Sequence, residues 1–153
     1  MIVDLAKVSP EGDRFIGQEP PGAMDLSSEE SVEIREGLRY DLTVQVLGDE
    51  LLARGRVELD LACRCSRCAE FFATSVFDGH FDLIRELPEK DRLIDLTEDL
   101  REAIVLGFPS YPLCSDNCKG LCAQCGVNLN NQSCQCKPVE DDRWNGLQDF
   151  TLE

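Results

Sequence analysis

Between Tyr40 and Val46 the chain alternates, with Tyr40, Leu42, Val44 and Val46 apolar and Asp41, Thr43 and Gln45 polar. A period of two marks a strand buried on one face. The alternation resumes after Gly48-Asp49-Glu50, where Leu51, Ala53, Gly55, Val57, Leu59 and Leu61 share one face and Arg54, Arg56, Glu58 and Asp60 the other. A three-residue connection containing glycine predicts a β-hairpin. Residues 73–83 repeat the pattern, with Phe77, Phe81 and Leu83 inward and Asp78, His80 and Asp82 outward. An antiparallel sheet solvated on one face follows.

Helical spacing appears once in the middle of the chain. Leu100, Ala103, Ile104 and Gly107 share a face, Thr97 stands as the N-cap, and Glu98 and Asp99 sit where a helix N-terminus favours negative charge. The helix should stop near Gly107, ahead of Pro109. The first 39 residues keep no sustained period and are broken by Gln18-Glu19-Pro20-Pro21-Gly22, so an arm with one edge strand is expected there. From Pro138 the tail is acidic, with Trp144, Leu147 and Phe150 three residues apart. Such a stripe is an amphipathic turn that docks on the protein's own body or on a partner. The fold class is therefore α+β: an antiparallel β-rich body over residues 1–112, and a cysteine-rich, zinc-binding segment with its acidic tail over 113–153, packed on that body.

Composition narrows the function. The net charge is −15, which excludes generic affinity for phosphate backbones, because that runs on clustered Lys and Arg. An acidic surface suits a basic protein partner better. A hydrophobic content of 42% excludes wholesale disorder. No stretch approaches the roughly 20 apolar residues that span a bilayer, and Met1 to Ser9 lacks the pattern of a secretory signal. No membrane contact is expected, and a reducing cytoplasm is, so the nine cysteines read as metal ligands rather than disulfides.

Eight of them form four pairs: Cys65 and Cys68, Cys114 and Cys118, Cys122 and Cys125, Cys134 and Cys136, with Cys63 left over. Four pairs suffice for two tetrahedral four-thiolate sites. Gly126 after the third pair lets the backbone turn so that both sulfurs meet one ion. Cys122, Cys125, Cys134 and Cys136 lie within 15 residues, with Asn128 to Asn131 as a turn, and can close locally. Cys114 and Cys118 would then join Cys65 and Cys68 and clamp the C-terminal segment onto the sheet. The rival grouping places Cys114, Cys118, Cys122 and Cys125 in one site. Local loop closure favours the first. All-thiolate ligation fits zinc or iron, and the knuckle pattern favours zinc.

Catalytic alternatives find little support. Cys118, Cys122 and Cys125 have the spacing of a radical-SAM cluster, but only 28 residues follow, too few for a substrate barrel. Cys65 and Cys68 lie in a hairpin rather than the βαβ unit of a thioredoxin. The one histidine, His80, falls on the polar face of a strand, and no Gly-rich phosphate loop or paired nucleophile and base is present. No small-molecule substrate is expected. Arg54, Arg56, Arg64 and Arg67 form a local exception to the acidity, with Lys119 and Arg143 further candidates to lie near them. Glu58 and Asp60 on the same face point to in-sheet charge pairing, while Arg54, Arg56, Arg67 and Trp144 are the candidate partner-binding residues.

Three features in chain order resemble the YceD family of large ribosomal RNA subunit accumulation proteins. They are Leu61-Ala62-Cys63-Arg64-Cys65-Ser66-Arg67-Cys68; Ile94-Asp95-Leu96 leading to a helix and Pro109-Ser110-Tyr111-Pro112-Leu113-Cys114; and Cys118-Lys119-Gly120-Leu121-Cys122-Ala123-Gln124-Cys125-Gly126 with Asp142-Arg143-Trp144 beyond. The resemblance implies a bacterial or organellar factor, without enzymatic activity, needed for accumulation of large-subunit (23S) ribosomal RNA. It also implies that the partner is a large-subunit precursor or a basic ribosomal protein, with direct contact to the RNA as a further option. Cysteine content varies within the family, which leaves the exact ligand set open. From another class, a cytoplasmic dithiol or metal-linked redox sensor using Cys63, Cys65 and Cys68, or a zinc-stabilised adaptor, stands as the alternative.

Overall fold

The computed structural model describes residues 1–25, 31–88 and 92–137. The predicted hairpin is its spine: β4 (Leu38–Leu47) turns into β5 (Glu50–Arg64), and β6 (Phe71–Glu86) runs back along the whole of β5. Leu47 pairs with Glu50, so the turn is two residues rather than three. Gly55 is required where these strands approach, because a Cβ there would overlap the carbonyl oxygen of Asp41.

The N-terminal 39 residues hold more structure than an arm. They supply β1 (Ile2–Asp4), β2 (Asp13–Glu19) and β3 (Val32–Ile34). β2 extends the sheet beyond β4, and β3 pairs with β5 past the end of β4. β1 pairs with β7 (Leu93–Asp95) in a separate two-stranded ribbon. Among the described residues all pairings are antiparallel. The local pattern gave one edge strand where three form, because each is short or an edge, so partners elsewhere in the chain decide whether it forms.

Leu38, Leu42, Val44, Leu51, Ala53, Val57, Leu59 and Leu61 are fully buried on one face of the sheet. Against that face lies α1 (Thr97–Leu106), which contributes Leu100 and Ile104 to the core, with Val3 and Ile94 from the ribbon and Leu96 between β7 and the helix. Thr97 is the first residue of the helix rather than its N-cap; its N–H and hydroxyl both donate to Asp95 Oδ1, at 2.9 and 2.6 Å. At the other end the Gly107 N–H donates to the carbonyls of Ala103 and Ile104.

One inward assignment fails. Phe77 is 60% exposed, and Val76 beside it is buried. Between the pairs Gly55↔Phe81 and Val57↔Asp78, two steps along β5 match three along β6. This bulge reverses the alternation of β6: Phe81 and Leu83 face the core on one side of it, Val76 on the other, and Asp78 falls opposite the inward Val57. A strict period of two carries through Ala73 to Leu83 only if no residue is inserted. Among the described residues no helix is long and apolar enough to cross a membrane.

Candidate metal centres

The end of β5 and the start of β6 are joined by residues 65–70, and this turn holds the first CxxC. It is closed by the Cys65 N–H donating to Glu70 O and the Ala69 N–H donating to Cys65 O, both at 2.9 Å. The same pair of bonds recurs in the second CxxC, from Cys122 N–H to Val127 O and from Gly126 N–H to Cys122 O, again at 2.9 Å. In each turn the residue after the second cysteine takes positive φ: 73° at Gly126, where the sequence has glycine, and 60° at Ala69, where it does not. The chain thus builds one knuckle geometry twice. Ala69 carries the strain that a Cβ meets in the left-handed region.

Residues 112–121 are laid across the first knuckle. Ser66 N–H donates to Pro112 O at 2.8 Å and Leu121 N–H to Arg67 O at 3.0 Å. The Arg67 guanidinium donates to the carbonyls of Asp116 and Cys118 at 3.0 and 3.2 Å. Cys114 and Cys118 are thereby carried to Cys65 and Cys68. These four sulfurs all lie within 4.8 Å of one another, with Cys65 to Cys118 and Cys68 to Cys114 each at 3.8 Å. Cys122, Cys125, Cys134 and Cys136 form a second tetrad within the same limit. The rival grouping of Cys114, Cys118, Cys122 and Cys125 is not what the chain assembles. Cys63 joins neither tetrad; it is buried in the sheet core, and burial pushes its thiol up.

The tetrads fit a metal ion. A tetrahedral ion with metal–sulfur bonds of about 2.3 Å needs sulfur–sulfur edges of about 3.8 Å, the separation of the Cys65–Cys118 and Cys68–Cys114 pairs and compatible with the 4.8 Å limit of both tetrads, whereas a disulfide needs about 2.05 Å. Proton affinities within each tetrad are split. Cys65 is desolvated by burial, but the N–H groups of Cys114, Cys68 and Arg67 outweigh this and pull its thiol down to about 6. Cys114 is pushed up to about 12, first by its hydrogen bond with Cys118. In the second tetrad the Cys125 and Gln124 N–H groups draw Cys122 down to about 6, while Cys125 drives Cys136 up to about 12. Each tetrad presents a ready thiolate beside thiols whose protons a cation displaces.

Asn130 was not evident as a functional residue in the sequence. Its side-chain N–H donates to Cys118 Sγ at 3.3 Å, and its Oδ1 accepts from the Lys119 N–H at 2.8 Å. The run Asn128 to Asn131 signalled a turn, and only the tertiary fold aims one amide at a sulfur.

The candidate partner-binding arginines are engaged within the protein. Arg54 pairs with Asp82 at 3.0 Å and Arg56 with Asp41 at 2.8 Å, across neighbouring strands. Glu58 and Asp60 instead hold Arg39, at 3.3 and 2.8 Å. Arg67 holds the segment that carries Cys114 and Cys118, and Arg64 stacks over the Phe71 ring. Trp144, with Leu147, Phe150 and Arg143, lies outside the described residues.

A family model described as "Large ribosomal RNA subunit accumulation protein YceD" matches residues 74–151, which include most of β6, all of α1 and six of the eight clustered cysteines. The chain belongs to the YceD family. An uncharacterized protein of Mycobacterium tuberculosis is 31% identical over 169 aligned residues, spanning 94% of this chain and 78% of its own length. A relative in Zea mays, named a large ribosomal RNA subunit accumulation protein YCED homolog 1, chloroplastic, is 46% identical over 52 residues, 33% of this chain and 18% of that protein. Its counterpart of the same name in Arabidopsis thaliana is 34% identical over 59 residues, 39% of this chain and 18% of that protein. No solved structure matches.

Proposed function

We propose that this protein is a non-enzymatic, zinc-stabilised factor that sustains accumulation of large-subunit ribosomal RNA in the cytoplasm, working through contacts with a precursor particle or a basic ribosomal protein. The observation that carries the reading is the family match, whose description names accumulation of an RNA rather than a reaction. The two thiolate tetrads support a scaffold role: all-cysteine sites with four protein ligands leave no open position for a substrate. Zinc is the ion favoured by tetrahedral sulfur ligation. The net charge of −15 favours a basic protein partner over bare RNA. Arg54 and Arg56, 60% and 62% exposed on the outer face of the sheet, together with Arg67 and Trp144, are the residues we assign to that contact. The dithiol sensor is not favoured, because Cys63 is buried and Cys65 and Cys68 are committed to a tetrad.

Depletion of the protein in its own host tests the reading. The ratio of mature large-subunit to small-subunit ribosomal RNA is expected to fall. An unchanged ratio under full depletion overturns the ribosomal role.

A further inference from the structure

The two tetrads differ in ways that bear on how they hold a metal. In the inner one Cys65, Cys68 and Cys118 are buried, at 2, 3 and 5% exposure, and Leu113 and Phe72 pack against them. Its sulfurs also receive N–H groups, from Cys114 to Cys65 at 3.4 Å and from Asn130 to Cys118 at 3.3 Å. It joins cysteines up to 53 positions apart, so an ion there closes a long loop of chain. None of the outer four cysteines is buried, and all lie within 15 residues. A competing ligand can approach those sulfurs from solvent, and opening that loop leaves the sheet untouched.

The centres are also connected. The segment that the outer tetrad encloses, residues 126–133, contains Asn130, whose N–H reaches an inner sulfur. Leu129 N–H donates to Gly120 O at 2.9 Å, and Asn130 Oδ1 accepts from Lys119, so the enclosed loop sits directly on the strand of chain that carries Cys118. Asn128 Oδ1 accepts from both the backbone and side-chain N–H of Asn130, at 3.0 and 2.9 Å, which orients the amide.

We propose that the outer centre is an exchangeable metal site, and that its occupancy fixes the loop whose Asn130 holds the metal of the inner centre in place. Asn130 is a positioning residue: it donates to a ligand sulfur and does not itself coordinate. Loss of the outer ion frees the loop, withdraws that donor and loosens the inner ion, so the pair releases metal in order, outer before inner. The inference rests on the reading of both tetrads as metal centres.

The test uses the full-length protein loaded with two equivalents of zinc and challenged with excess chelator, with release followed by a metal-sensing dye. One equivalent is expected to leave at least tenfold faster than the other. Loading with ¹¹³Cd identifies the sites: the resonance lost in Cys125→Ser should be the one that disappears first in the native chain. Asn130→Asp keeps the acceptor for Lys119 but cannot donate to Cys118. It should speed the slow release about tenfold to a hundredfold, as expected for removing a hydrogen bond to a charged sulfur. Cys125→Ser should do so as well. Should Cys125→Ser fail to fold, the native and Asn130→Asp profiles decide the matter. A single release phase, or a slow phase unchanged by Asn130→Asp, overturns the proposal while leaving the metal centres standing. A chain that retains no metal overturns the reading beneath it.

Discussion

Ala69 and Gly126 occupy the same place in two knuckles that share their hydrogen bonds, and they differ by one methyl group. An L-residue in the left-handed region costs roughly 1–2 kcal/mol, partly offset by the lower unfolded-state entropy of alanine. Ala69→Gly is therefore expected to raise stability by up to about 1 kcal/mol, and Gly126→Ala to lower it by a similar amount, in paired denaturant titrations. A charge at this scale behaves differently. The Arg14 hydrogen bond, joined by the charges of Arg14 and Arg56 at 2.7 and 2.8 Å, outweighs desolvation and holds the Asp41 carboxyl down to about 2. A folded-state value below the unfolded one of about 3.9 contributes stability that is complete above pH 4 and disappears as pH falls through about 2. The stability gap between the native chain and Asp41→Asn should therefore be present at pH 7 and shrink steadily between pH 4 and pH 2 in thermal melts. A gap independent of pH would show that the pairing contributes nothing through the carboxylate.

Among the elements, β6 shows the sharpest contrast, since two of its phenylalanines lie four positions apart with opposite fates. Phe81 is 6% exposed and Phe77 60%. Phe81→Ala should cost about 3–5 kcal/mol, and Phe77→Ser should stay within about 0.5 kcal/mol, because only the first leaves a cavity. Equal costs in urea titrations would contradict the bulge between Asp78 and Phe81. The alternation of β4 and β5 was legible from residues alone, since both run unbroken against the core. That of β6 was legible only up to its inserted residue. α1 was legible too, apart from its first turn, where Asp95 rather than Thr97 supplies the acceptor.

For the molecule as a whole, the inner tetrad joins the β5–β6 turn to residues 112–121, so these regions should lose order together. Cys68→Ser or Cys118→Ser is expected to accelerate amide exchange in both, at the turn and across the segment, while the hairpin turn at Gly48-Asp49 keeps its native protection. With the proposed zinc bound, the loss should far exceed that of a surface substitution, since structural zinc sites contribute on the order of 10 kcal/mol of apparent binding free energy in small metal domains. Independent responses of the two regions would sink the bridging assignment. The sequence by itself determined the central hairpin, the helix, the acidic surface and the eight cysteines in four pairs, because periodicity, composition and ligand spacing are local properties of a chain. Tertiary structure alone decided that the N-terminal residues form β1, β2 and β3 rather than one edge strand, the reversed face of β6, the partners that take up Arg54 and Arg56, and the Asn130 amide on a sulfur. Each depends on contacts between residues remote in sequence, whose energies no local window contains.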